Sequence, residues 1–259
     1  MKQSAVVLLD HLGTRLKNLA YILSNPSYTM VRHGKGCAEI YQLLNKPWFP
    51  KNQIDLVIDI GANEGQFIHT ALALVPNAPI IAFEPNPELA KKLKTTFEEY
   101  GTISIFSTAL GSQPGVLPLN VSKFAPASSF LQPTVECLSE FPGTDVIRTI
   151  DVEINRLDDF VRQPDLGFAP HNNYLLKIDV QGYEMEVVKG AVGIYDRIST
   201  IVCELNIAHI YENQRPFEEL FTFLREFNFH LVDIGSPIRS RSTNQVLYVD
   251  IAFKKLAKV

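Results

Sequence analysis

The run Leu56-Val57-Ile58-Asp59-Ile60, followed at once by Gly61-Ala62-Asn63-Glu64-Gly65, constrains the fold more than any other stretch of the chain. A short segment apolar on both faces suits a strand buried on both sides, and such strands belong to parallel sheets. Gly61 lets the backbone turn sharply without a Cβ, and Gly65 lets a helix start close to a ligand. Open α/β sheets bind ligands beyond the carboxyl ends of their strands, so this turn is a candidate nucleotide site.

The pattern repeats along the chain. Strands are expected at LVIDI (56–60), IIAFE (80–84), ISIFSTAL (103–110), YLLKIDV (174–180) and TIVCEL (200–205). Helical patterns at Gly65–Val75, Pro87–Tyr100, Glu184–Ala191 and Phe217–Asn228 lie between them. This alternation predicts a doubly wound α/β fold with a mostly parallel, Rossmann-like sheet. FHLVDI (229–234) and VLYVDIAFKK (246–255) are joined only by a polar loop, too short for a crossover helix, so a C-terminal antiparallel hairpin with one reversed strand is expected. Residues 1–50, with patterns such as AEIYQLLNKPWF, are expected to form an N-terminal helical cap on a domain spanning 51–259. Within that domain, 111–173 reads as an inserted segment holding extra strands at VLPLNV and TIDVEINRLDDF.

Composition narrows the partners. With 24 Lys+Arg against 28 Asp+Glu the net charge is -4, which lacks the positive field that non-specific nucleic-acid binding needs. The three cysteines, Cys37, Cys137 and Cys203, are far apart and form no C-x-x-C pair, arguing against a disulfide framework or structural zinc and for a reducing, cytoplasmic setting. No residue is put forward as a metal ligand. Asp10, His11, Arg15 and Lys17 interrupt the apolar opening before the ~20 residues a membrane span requires, and its AVVLL run is too short for a secretory signal.

Glu84 ends the second strand about 20 residues after the glycine turn, where a carboxylate accepts hydrogen bonds from ribose hydroxyls and repels a 2′-phosphate. Gly61-x-x-x-Gly65 lacks the middle glycine of the dinucleotide fingerprint, so it suits a ligand carrying an amino acid and a sulfonium better than a diphosphate. Asp179 closes the fourth strand at the same rim. There it could bind an ammonium group, orient an acceptor, accept its proton, or cap the following helix.

DIGANEGQF, FEPNP, STALG and LLKIDVQGYEMEVVKGA together resemble the FkbM family of S-adenosylmethionine-dependent methyltransferases, over about Leu56–Leu205. The resemblance implies a seven-stranded methyltransferase sheet, S-adenosylmethionine as cofactor, and O-methylation of a sugar, glycan or small natural product. By motif, Asp59, Gly61, Asn63 and Gly65 would shape the cofactor turn, Glu84 would hold the ribose, and Ser107, Ala109 and Leu110 would lie near the adenine. Asp179 and Glu184 fall on the second signature, in which the residue before Gly182 is usually glutamate. Here it is Gln181, which cannot serve as a carboxylate base.

Methyl transfer to oxygen is an in-line displacement that gains from alignment, exclusion of water and a general base. The candidates for that base are Asp179, Glu184, Glu204 and His209. Ser128-Ser129, Asn206–Tyr211 and the loop carrying Arg239 and Arg241 are expected to face the same rim, the arginines suiting an anionic acceptor. Two other readings are an NAD-dependent oxidoreductase, disfavoured by the missing glycine and the terminal hairpin, and a non-catalytic cofactor-binding module, for which Gln181 speaks.

Overall fold

The structure, a computed structural model, describes Tyr21, residues 23–163 and residues 172–256. The opening segment 1–20, read above as free of a membrane span, lies outside the described residues. Helices α1 (Pro26–His33) and α2 (Ala38–Leu44) precede β1 (Leu56–Ile60), α3 (Gln66–Leu74), β2 (Ile80–Phe83), α4 (Pro87–Thr96) and β3 (Ile103–Phe106). Next come β4 (Ala109–Leu110), β5 (Gly115–Ser122), α5 (Val135–Glu140), β6 (Val146–Asn155) and α6 (Leu157–Val161). The chain continues with β7 (Tyr174–Ile178), α7 (Glu184–Lys189), β8 (Ile198–Asn206), α8 (Phe217–Glu226), β9 (Phe229–Ile234), β10 (Ile238–Arg239) and β11 (Val246–Lys255).

Among the described residues, eight strands form the main sheet in the order β10-β11-β8-β7-β1-β2-β3, with β9 also pairing β11. Because β8 occupies one edge of β11, β9 and the two-residue β10 share the other, giving seven lanes across the sheet. Pairs from β3 to β8 are parallel, and β11 alone runs against its neighbours. The mostly parallel sheet and the C-terminal antiparallel hairpin expected from the sequence are thus both present. The polar loop expected between the last two strands itself contains β10.

Strand alternation sends β1 side chains to two different cores. Leu56, Ile58 and Ile60 pack with Val187, Val188, Leu220 and Leu224 on one face, while Val57 packs with Val31, Leu44, Phe67, Ile68 and Leu93 on the other. Burying one such side chain completely contributes about 1.5–3 kcal/mol, so each face is held by its own helices. Helices α1 and α2 therefore close one face of the sheet. Pro87 supplies the first turn of α4, and the Asn86 side chain caps it by accepting from Glu88 N at 3.0 Å.

The segment ISIFSTAL is not one strand, as expected above, but two. Beyond Phe106 the chain leaves the main sheet, and Ala109 and Leu110 pair with Ile154 and Asn155 in a second sheet of order β4-β6-β5. Thr108 makes the crossing by donating its hydroxyl to Glu153 O at 2.9 Å. The lobe built on β5 and β6 thereby stands over the carboxyl edge of the main sheet. Among the described residues no helix is long and apolar enough to cross a membrane.

Candidate active site

A cleft of about 510 Å3 opens between that edge and the lobe, within the range of sites that enclose a nucleoside-sized molecule. One wall is the turn after β1. Gly61 has φ +81°, and a Cβ there would stand 1.9 Å from Asp179 O, so the turn and the end of β7 approach more closely than any other residue permits. Asn63 follows at φ +50° and points its backbone N–H at Glu84 Oε2, 2.8 Å away. Asn86 N donates to the other oxygen, Glu84 Oε1, also at 2.8 Å. Glu84 is thus fixed from both sides at the cleft wall; burial pushes its carboxyl up to about 7, although both N–H groups favour the charged form. Asn63 Oδ1 is buried with no hydrogen-bond partner, leaving an acceptor unspent beside the cleft.

Lys177 ties the two sides of the turn together. Its Nζ donates to Gly61 O at 3.0 Å and pairs with Asp59 Oδ1 at 3.2 Å and Asp179 Oδ2 at 3.5 Å. Burial works against the ammonium, but the Asp59 and Asp179 carboxylates hold it above the usual lysine range. A lysine inside an otherwise apolar strand was a visible signal, yet periodicity alone gave it no role.

The opposite wall is acidic, and the sheet register explains why. Ile60, Ile178, Cys203 and Ile251 are partners across β1, β7, β8 and β11, so the next residues on one face, Asp179 and Glu204, fall in one row with Asp250, the partner of Glu204. Asp179 and Glu204 both line the cleft. Gln181 lies between them: its Nε2 donates to Asp179 Oδ1 at 2.7 Å and to Glu204 Oε1 at 3.0 Å. Burial, then the charges of Asp179 and Asp250, push Glu204 well above the ordinary carboxylate range. Asp250 rises to about 7, again by burial first and Asp179 second.

The structure gathers only part of the expected set at the cleft. Gly61, Asn63, Glu84, Ala109, Leu110, Asp179 and Glu204 line it. Asp59 lies beneath it, fully buried against Lys177. The lining includes Thr108, whereas the neighbouring Ser107 is exposed and outside it. Gly65 faces away: a Cβ there would meet the Phe97 ring at 2.7 Å, so its bareness serves helix packing. Glu184 accepts from Val180 N at 3.2 Å and Gly182 N at 3.1 Å, a turn-capping role that the sequence left open for Asp179. His209 is exposed and outside the lining, its carbonyl accepting from Thr134 Oγ1.

Of the expected acceptor elements, Ser128, Ser129 and Ile210 line the cleft and Arg239 and Arg241 do not. Arg239 Nη1 donates to Asn244 O at 2.9 Å, and the Arg241 backbone N–H to Glu140 Oε2 at 3.0 Å. In their place the lobe and β11 present Phe124, Phe130, Phe141 and Tyr248.

A family model described as the methyltransferase FkbM domain matches residues 59–231. The chain is 27% identical over 227 residues to 2-O-methyltransferase NoeI of Sinorhizobium fredii, covering 85% of this chain and 87% of that one. It is 28% identical over 153 residues to hexuronic acid methyltransferase AglP of Haloferax volcanii, covering 59% of this chain and 56% of the relative. A solved structure described as methyltransferase FkbM from Methylobacillus flagellatus aligns with a TM-score of 0.47 at 12% identity, over 78% of this chain and 44% of the other.

Proposed function

Since the chain belongs to the FkbM family of methyltransferases, we propose that it transfers the methyl group of S-adenosylmethionine to a hydroxyl oxygen of a sugar or comparable small molecule. The observation that carries this reading is the meeting, in one cleft, of an anchored Glu84 on the nucleotide side with the Asp179–Glu204 pair on the other. The relatives NoeI and AglP, named as a 2-O-methyltransferase and a hexuronic acid methyltransferase, support an oxygen acceptor on a sugar.

The residues present fit the cofactor. Glu84 holds two backbone N–H groups and keeps further lone pairs for the two ribose hydroxyls. The unpartnered Asn63 Oδ1 offers an additional acceptor, and Thr108, Ala109 and Leu110 supply a mostly apolar wall for the adenine. When bound, S-adenosylmethionine supplies an electrophilic methyl group. Asp179, next to Gly61 and Lys177, is placed to orient the methionine end or the acceptor.

Glu204 takes the acceptor's proton. Gln181 holds its Oε1, which leaves Oε2 to receive the hydroxyl proton as the oxygen attacks. A carboxylate whose proton affinity is raised by burial is a better base for a hydroxyl than a solvated one, and proton transfer of this kind gains roughly 10²–10⁴-fold. Phe124, Phe130, Phe141 and Tyr248 cover the apolar faces of the acceptor and exclude water.

Calorimetric titration of the purified protein with S-adenosylmethionine and with NAD, followed by transfer assays on a panel of glycosides, tests the reading. Binding of S-adenosylmethionine alone, with methyl transfer to oxygen, is expected. Tight binding of NAD in its place would defeat it.

A further inference from the structure

Gln181 is the least expected member of the site. It sits at φ +56°, a left-handed conformation that costs a side-chain-bearing residue free energy and persists only where surroundings over-determine it. Here they do: Ser129 Oγ donates to its carbonyl at 2.6 Å from the lobe, and Tyr211 Oη donates to its Oε1 at 2.6 Å. With Oε1 committed to Tyr211, the amide NH₂ is left facing the two carboxylates, and its two hydrogens go one to Asp179 and one to Glu204.

Two carboxylates brought this close repel each other unless something positive lies between them. Usually a shared proton or a divalent cation does so. Lys177 is turned toward Asp59 and Gly61, and touches only the far oxygen of Asp179, at 3.5 Å. Among the described residues no three His, Cys, Asp or Glu side chains converge to hold a metal ion. Among the described residues, the Gln181 amide is the group that reaches both carboxylates at once.

We propose that Gln181 is a positioning residue whose amide replaces the cation that an apposed Asp179–Glu204 pair would otherwise require, so that the pair works without a divalent metal. Tyr211 sets the direction of the amide, and Ser129 carries the position of the lobe to it. Asp179 and Glu204 keep a fixed spacing, and Glu204 Oε2 stays open toward the acceptor. The proposal depends on the methyl-transfer reading only for what the pair does; the clamp itself is testable without turnover.

The experiment titrates the purified full chain with Mn²⁺ and follows the free ion by electron paramagnetic resonance. The native protein is expected to take up no Mn²⁺ at this wall. Gln181→Glu puts a third carboxylate in place of the donor and is expected to bind Mn²⁺ at least about 100-fold more tightly than the native chain. Adding Glu204→Gln to Gln181→Glu should abolish the gain, while Gln181→Met should never show it. A merely structural role for Gln181 would change the melting temperature of these variants without creating metal affinity. Should Gln181→Glu be too unstable to purify, Gln181→Asp serves the same arm. Uptake of Mn²⁺ by the native chain that Asp179→Asn removes would overturn the proposal. So would a Gln181→Glu protein with no gain, or with a gain that survives Glu204→Gln. Calorimetry with S-adenosylmethionine on the same samples reports separately on the parent reading.

Discussion

Asp250 and Glu204 face each other as register partners across the antiparallel pair of β11 and β8, two acids side by side, of which Glu204 lines the cleft. With Asp179 they form an acidic wall, while Arg239 and Arg241 lie outside the lining. A like charge brought against such a wall is disfavoured. A neutral hexoside should therefore be methylated with a kcat/KM at least about tenfold above that of the matching hexuronide, and Asp250→Asn should narrow the gap. A native enzyme that prefers the uronide would show that the wall does not govern the acceptor.

Glu204 and His209 were both among the candidates for the base, and the geometry separates them. Glu204→Gln is expected to lower kcat by roughly 10²–10⁴-fold with cofactor affinity unchanged. His209→Ala should stay within about twofold, since nothing about its exposed ring reaches the barrier. In the native enzyme kcat should rise with pH through an apparent value above the ~4–4.5 of ordinary carboxylates, and that limb should vanish in Glu204→Gln. Equal losses in the two variants would put the base elsewhere.

Glu84 is held by Asn63 N and Asn86 N, so Glu84→Gln preserves an acceptor for one of them and the local fold. The loss should fall on the cofactor. Its dissociation constant is expected to rise about 10–100-fold, as for a lost charged hydrogen bond, while the acceptor KM holds. A change confined to the acceptor would reverse the two sides of the cleft.

Glu184 gives a pH prediction for stability. Burial raises its carboxyl from 4.5 to about 7 in the folded chain. Between those values the native state keeps a proton that the unfolded state releases, so the contribution is full below about 4.5 and is lost as pH rises through about 7. Urea unfolding should show stability falling with pH in that window, by at most about 1.4 kcal/mol per pH unit for this one proton. Glu184→Gln, which can still accept from Val180 and Gly182, should flatten the slope; an unchanged slope would place the proton elsewhere, for example on Glu84 or Asp250.

The sequence made the glycine-turn side of the cleft legible because that side is local. Strand, glycine turn and Glu84 follow one another within a single βαβ unit, and strands buried on both faces announce themselves by composition. The rest of the cleft was harder. ISIFSTAL carries one unbroken strand pattern, and only the tertiary pairing of Ala109 with Ile154 shows that the chain changes sheets, moving Thr108 and not Ser107 into the cleft wall. Asp250 was hidden for the same reason. Its place beside Glu204 depends on a strand register joining segments some 46 residues apart in number, which no local period encodes. Gln181 could be read as the absence of an acid; the two hydrogen bonds its amide donates to Asp179 and Glu204 could not.

The reversed strand β11 is interior to its sheet, flanked by β8 on one edge and by β9 and β10 on the other. On a translating ribosome, β8 and β9 are made before the strand that must slide between them. A nascent chain can shape its glycine turn early, but it has no finished acceptor wall until residues 246–255 emerge and insert. The segment that delivers Tyr248 to the cleft and sets Asp250 beside Glu204 is thus also the one that zips the sheet shut, tying competence for transfer to its insertion.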